Sequence, residues 1–178
     1  SENGFREERS WKQLRLNTSK LLKFFKDIKL NKGDRVAAYM PNCIETAEAF
    51  IATSSIGGIW SSCSPDFGIS GVVERFSQIK PKVLFISDQY FYNGKKINVA
   101  NRLPKILKLI PSIKNIVIVN YPGKKSIRSK YKFKRQNLFK WSDLIKKTTN
   151  EIKFNQYDFE SELAILYSSG TTGKPKCI

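Results

Sequence analysis

The sequence predicts an α/β fold with a mostly parallel sheet and alternating helices. Three observations carry that expectation. Short apolar runs of strand length recur along the chain: "RVAAYM", "IWSSCS", "KVLFISD", "NIVIVNY" and "LAILYS". Segments of helical periodicity lie between them, as crossover connections between parallel strands require. Turn residues punctuate the boundaries. At 178 residues the chain suffices for one moderate domain or part of a larger one.

The elements follow in order. "SWKQLRLNTSKLLKFFKDI" reads as an amphipathic helix, with Trp11, Leu14, Leu21, Leu22, Phe25 and Ile28 at helical spacing. Ser10 and Gln13 match a capping box, which satisfies free N–H groups at a helix start. "NKGD" (31–34) is a turn before the strand "RVAAYM". Asn42 and Glu45 form a second possible capping box for the helix through "CIETAEAFIATSSI", which Gly57 and Gly58 can end. "IWSSCS" is the next strand, "PDFG" a loop, "SGVVERFSQIK" a helix and "KVLFISD" a strand with a polar exit. A helix around "VANRLPKILKLI" follows, where Pro104 marks a start or a kink. "NIVIVNY" (strand), "WSDLIKK" (helix) and "LAILYS" (strand) complete the pattern.

Composition narrows the chemistry. The chain has no histidine, so within it no Ser-His-Asp triad, Cys-His pair or His-ligated metal can exist. Cys43, Cys63 and Cys177 form no CxxC pair, and their odd number argues against a disulfide framework. They read as free thiols of a reducing compartment. No apolar stretch is long enough to span a bilayer, and the polar N-terminus lacks a signal-peptide core. The expected location is the cytoplasm, with no membrane partner.

Net charge is +17, from 32 Lys plus Arg against 15 Asp plus Glu. The charge is spread along the chain, which reads as solvated basic faces rather than one binding block. Segment 123–140, "GKKSIRSKYKFKRQNLFK", stands apart with eight basic residues and no acidic one. Its Lys–aromatic alternation suits a nucleic-acid strand. It reads first as an exposed surface insertion, since no nucleic-acid module accompanies it. No nucleic-acid partner is therefore expected.

The informative stretch is the last, "YSSGTTGKPKCI". It follows "LAILYS" directly, and in parallel sheets ligands bind beyond the carboxyl ends of strands. Gly170 and Gly173 let backbone approach a ligand. Ser168, Ser169, Thr171 and Thr172 offer hydroxyls beside N–H groups, a nest suited to phosphate oxygens. Lys174 and Lys176 add positive charge. The stretch is not a Walker loop: two residues separate Gly170 from Gly173 and Pro175 follows Lys174. Nor does it match G-x-G-x-x-G.

As a whole, "YSSGTTGKPK" resembles the phosphate-binding loop of the adenylate-forming superfamily of acyl-CoA synthetases, luciferases and peptide-synthetase adenylation domains. The usual form ends Pro-Lys-Gly, whereas Cys177 stands in place of that Gly. This departure, with "IWSSCSPDFG", "RFSQIKPK" and "YNGKK", resembles the acetoacetyl-CoA synthetase subgroup. The likeness runs from about Ser10 onward and is least in the basic insertion, as variable surface loops often are.

The resemblance implies an AMP-forming acid–CoA ligase, with ATP, Mg²⁺ and coenzyme A as cofactors or co-substrates and acetoacetate or a similar short acid as substrate. Ser168, Ser169, Gly170, Thr171, Thr172, Gly173, Lys174 and Lys176 would bind the ATP phosphates. Lys174 has the lesser part, because the family varies that position. Mg²⁺ would be shared between those phosphates and residues outside the chain. Lys95, in the "YNGK" of 92–95, would touch the phosphates of coenzyme A. No catalytic residue or metal ligand is expected within these residues. Residues 1–178 read as an incomplete N-terminal adenylation domain ending at the phosphate loop, its C-terminal domain absent, and inactive alone. An acetyl- or propionyl-CoA synthetase, a basic nucleic-acid binder and a nucleotide-binding module without catalysis are the rival readings.

Overall fold

A computed structural model describes residues 4–121, 133–147, 154–168 and 173–178. Five parallel strands form its sheet, in the order β2-β1-β3-β6-β7: β1 (Arg35–Tyr39), β2 (Ile59–Cys63), β3 (Val83–Ser87), β6 (Asn115–Val119) and β7 (Asn137–Lys140). Helices α1 (Trp11–Asp27), α2 (Ile44–Ser55), α3 (Ile69–Ile79), α4 (Leu103–Leu109) and α5 (Trp141–Lys146) cover it. Two antiparallel hairpins complete the fold: β4 (Gln89–Tyr92) with β5 (Lys95–Asn98), and β8 (Tyr167–Ser168) with β9 (Lys176–Cys177). The expected α/β class and parallel sheet are borne out.

Strand alternation builds two cores. Val36 and Ala38 of β1, Phe85 of β3 and Val117 of β6 face Leu21, Phe25, Ala49 and Trp141. The intervening Ala37, Tyr39, Leu84, Ile86 and Ile116 face Val72, Phe76, Leu103 and Ile106. Side chains with a period of two feed both faces, so the strands read as continuous apolar runs. From β1 the chain crosses outward to β2, then returns past β1 to β3 and continues to β6 on the other side. That reversal places a switch point at the carboxyl ends of β1 and β3, where such sheets open a crevice.

Several boundaries hold and several shift. Ser10 caps α1, its Oγ accepting from the Gln13 N–H at 3.2 Å. The Gln13 side chain donates to Asn17 instead of returning to Ser10, so only half of the capping box forms. Trp11, placed by periodicity on the apolar face, is 85% exposed, and Asn17 and Thr18 take the buried face. The second capping box is not made. Cys43 rather than Asn42 is the N-cap of α2, without a side-chain bond, so Thr46 takes the third helical position and Glu45 instead pairs with Arg9 at 2.5 Å. Pro104 begins α4 behind a 3₁₀ turn at Ala100–Arg102 and does not kink it.

The β4–β5 hairpin was not anticipated, although Asn93 and Gly94 (φ 47° and 70°) make the primed two-residue turn that "NG" favours. Segment 123–140 is corrected at its end: Asn137–Lys140 is an edge strand on β6. Residues 122–132 lie outside the described residues. Among the described residues no helix is long and apolar enough to cross a membrane.

Gly57 ends α2 as expected. It takes φ 66°, the Gly57 N–H donates to Ser54 O, and the Gly58 N–H reaches back to Thr53 O. This pair of bonds satisfies the last carbonyls of the helix. A Cβ on Gly57 would sit 2.8 Å from the Tyr157 ring. Gly57→Ala is expected to cost about 1–2 kcal/mol, from left-handed strain alone. The shift in urea midpoint checks it.

Candidate active site

The crevice opens where the topology places it. A cavity of about 430 Å³ is lined by Met40, Asn42 and Cys43 beyond β1, Ser62–Ser64 and Asp66 at and beyond the end of β2, Tyr90 of β4 and Tyr121 beyond β6. Burial pushes the Cys43 and Cys63 thiols up to about 11, a hydrogen bond from Thr46 opposing the shift at Cys43. Both stay protonated near neutrality and are poor nucleophiles. All three cysteines are free thiols.

The turn 64–68 borders this crevice and is pinned from below. The Tyr39 hydroxyl donates to Phe67 O at 2.5 Å, and Arg102 Nη1 donates to Pro65 O at 3.0 Å and to Phe67 O at 2.9 Å. Arg102 also donates to the Tyr39 oxygen. Burial raises the Tyr39 phenol above its ordinary pKa despite that bond, so it remains a neutral donor.

The expected strand "LAILYS" is split. Its first half runs parallel to β2, with Trp60 N–H donating to Leu163 O at 3.0 Å and Ile165 N–H to Trp60 O at 2.8 Å. Its second half leaves the sheet as β8 and pairs with β9, so that Ser168 is opposite Lys176 and Tyr167 opposite Cys177. Ser61 Oγ bonds Ile165 O at 2.9 Å and the Tyr167 hydroxyl at 3.3 Å, tying this departure to β2. Burial pushes the Tyr167 phenol up to about 12.

Of the predicted phosphate-binding residues, Ser168 and Lys176 sit on the β8–β9 pair, which lies beside β2 and against α3. Ser168 is half-buried in β8, while Gly173, Lys174 and Lys176 are exposed on the returning arm. Ser169, Gly170, Thr171 and Thr172 lie outside the described residues. The structure pairs Ser168 with Lys176 and puts Lys95 on a different hairpin. Lys95 is exposed and opposite Tyr92, on the hairpin that leaves the carboxyl end of β3. Sequence reasoning missed Arg75, Gln78 and Arg102. Their only signal was polar side chains inside or beside amphipathic helices, which is also the signature of an ordinary solvated face.

The family model described as AMP-binding enzyme matches residues 4–178. The chain belongs to that family. It is 38% identical over 175 residues to the acetoacetyl-CoA synthetase of Xenopus tropicalis, covering 97% of this chain and 26% of that protein. It is 41% identical over 170 residues to the acetoacetyl-coenzyme A synthetase of Rhizobium meliloti (strain 1021), covering 95% of this chain and 25% of that protein. The solved acetoacetyl-CoA synthetase from Streptomyces lividans superposes with a TM-score of 0.87 at 31% identity, over 99% of this chain and 26% of that one. The chain therefore spans about a quarter of the length of the relatives it matches. The resemblance carried by "YSSGTTGKPK" and "IWSSCSPDFG" is borne out.

Proposed function

We propose that this AMP-binding chain serves, within its full-length enzyme, an AMP-forming ligase that joins acetoacetate to coenzyme A. The pairing of Ser168 with Lys176 carries the reading, because it sets a hydroxyl and an ammonium on facing arms of the phosphate-loop hairpin. The similarity to acetoacetyl-CoA synthetases supports the acid.

Two half-reactions follow. A carboxylate oxygen of the acid attacks the α-phosphorus of ATP, the bond to the bridging oxygen breaks, and pyrophosphate leaves. The thiol sulfur of coenzyme A then attacks the acyl carbon, AMP leaves, and the thiol proton goes to solvent or base. In the first step negative charge gathers on the β- and γ-phosphates. The hydroxyls of Ser168, Ser169, Thr171 and Thr172 and the ammonium of Lys176, with lesser help from Lys174, would receive it. Donors fixed before the reaction do this without reorganisation. Gly170 and Gly173 would give the backbone its close approach.

The nucleotide would enter as MgATP. Among the described residues no three His, Cys, Asp or Glu side chains group as a metal site. The ion would ride on the phosphates and on residues of the full-length enzyme outside this chain. The adenine, ribose and acid pockets and the C-terminal domain would lie there also, with 1–178 forming part of the N-terminal adenylation domain.

The crevice beside turn 64–68 is the proposed channel for the coenzyme's thiol arm, and Lys95, on the β4–β5 hairpin whose Tyr90 lines it, would meet the coenzyme's phosphates. Lys95→Ala is expected to raise KM for coenzyme A about threefold to tenfold, the worth of one partly solvated phosphate contact. It should leave ATP–pyrophosphate exchange unchanged, because exchange needs no coenzyme. Mass-spectrometric detection of acetoacetyl-CoA and AMP, formed by the full-length enzyme from acetoacetate, ATP and coenzyme A, tests the whole reading. AMP without thioester, or neither product, would sink it.

A further inference from the structure

One helix holds both arms of the phosphate-loop hairpin and the crevice turn at once. The Arg75 guanidinium lies 4.3 Å from the Phe67 ring centroid and 5.7 Å from that of Tyr167. It is fixed in that slot by a 3.0 Å bond from Nη1 to Gly71 O, one turn earlier on α3. A Cβ on Gly71 would stand 3.1 Å from the Phe67 ring, so the small residue there admits the ring. One turn further along, Gln78 Nε2 donates to Pro175 O at 2.8 Å, and Cys177 Sγ lies 3.5 Å from Gln78 Oε1. Arg75 therefore meets the arm that carries Ser168, and Gln78 the arm that carries Lys176. Cys177, where most of the superfamily has Gly, supplies one of the contacts.

We propose that Arg75, seconded by Gln78, is a positioning residue for ATP, setting where Ser168 and Lys176 stand relative to turn 64–68. This rests on the phosphate-binding reading of the hairpin. A planar cation between two rings keeps both at fixed spacing, which an ammonium on a flexible stem does less well. No ion pair of Arg75 appears among the described residues, so the stack and one carbonyl define its place. The same stack makes the crevice turn and the hairpin one mechanical unit. A shift at Phe67 is transmitted to Tyr167 and so to Ser168.

The test uses the full-length enzyme with Arg75→Gln, Arg75→Lys and Phe67→Leu. Three quantities are measured: KM for ATP and for the acid in exchange, the dissociation constant of MgATP, and amide hydrogen exchange over 166–168 and 176–178. Arg75→Gln is expected to raise KM and Kd for ATP about fivefold, the worth of a partly desolvated cation–π stack. KM for the acid should not move. Amide exchange should quicken at both arms, Arg75→Lys should recover part of the loss, and Phe67→Leu should repeat the pattern. An unchanged ATP constant, or equal rises in KM for ATP and acid, would overturn the proposal and leave Arg75 a structural residue.

The two readings fail differently. If the wild-type enzyme exchanges with no acid yet binds MgATP, the ligase reading falls and Kd still decides the role of Arg75. If it binds no MgATP, both fall.

Discussion

In the full-length enzyme, Lys176→Ala is expected to lower kcat/KM for ATP–pyrophosphate exchange about 100-fold or more. That is the loss typical when one preorganised donor to developing charge is removed. Lys176 is held in strand register opposite Ser168, so its stem starts from a fixed point. Lys174 lies outside that pairing, and Lys174→Ala should cost clearly less. Because the Lys176 side chain is exposed, its removal should leave the urea midpoint in place. A large kinetic loss at constant stability is the signature to measure. Parallel losses in both would mean that the hairpin had come apart instead.

Arg9→Ala is expected to destabilise the protein by about 3–5 kcal/mol, as breaking buried ion pairs does. One guanidinium serves three carboxylates. Its Nη1 donates to Glu48 at 2.6 Å, its Nη2 to Glu45 at 2.5 Å, and Glu7 is 3.0 Å away. The Glu48 side chain is fully buried, and Asn17 donates to its other oxygen at 2.9 Å. Without Arg9 the buried Glu45 and Glu48 carboxylates would share a dry site with their ion-pair partner gone. The network also fixes the start of α2, where Asn42 and Cys43 line the crevice, so its loss reaches the site.

Glu48 adds a pH dependence. Burial raises its pKa, and the neighbouring Glu45 charge adds to this, against the opposing bonds from Arg9 and Asn17. The folded state thus holds the Glu48 proton more tightly than the unfolded chain. Its contribution to stability is full below the ordinary glutamate value of about 4.3 and is lost as pH rises through the higher folded value. Glu48→Gln should flatten that slope in urea midpoints followed against pH.

The layers of the fold were legible because strands buried on both faces are apolar throughout, and the helices between them show their own period. β1, β2, β3 and β6 fall within the runs read from the sequence. What escaped was set by pairing rather than by local pattern. "NLFK" (137–140) carries no apolar run and becomes a strand only because β6 offers an open edge. "LAILYS" is uniformly strand-like, and its break at 166 comes from competition between β2 and the returning arm. The bonds between Leu166 and Ile178 belong to the second partner. Asn42 does not cap α2 because the helix starts one residue later, after Cys43, and Glu45 turns to Arg9, 36 residues away in sequence.

The candidate site was read as a motif and not as a mechanism of placement. The loop's composition named Ser168 and Lys176, but nothing local reveals that α3 holds the arms that carry them. Arg75 reads in sequence like any cation on a helix face. Only the tertiary approach of Phe67 and Tyr167 gives it a task.

The central claim is that this hairpin binds the phosphates of ATP while a carboxylic acid is activated. Acid-dependent exchange of labelled pyrophosphate into ATP tests it most directly, using the full-length enzyme with acetoacetate, acetate, propionate and no acid. The account predicts exchange driven mainly by acetoacetate and lost in Lys176→Ala combined with Thr172→Ala. Exchange with none of the acids, or exchange indifferent to those substitutions, would contradict it.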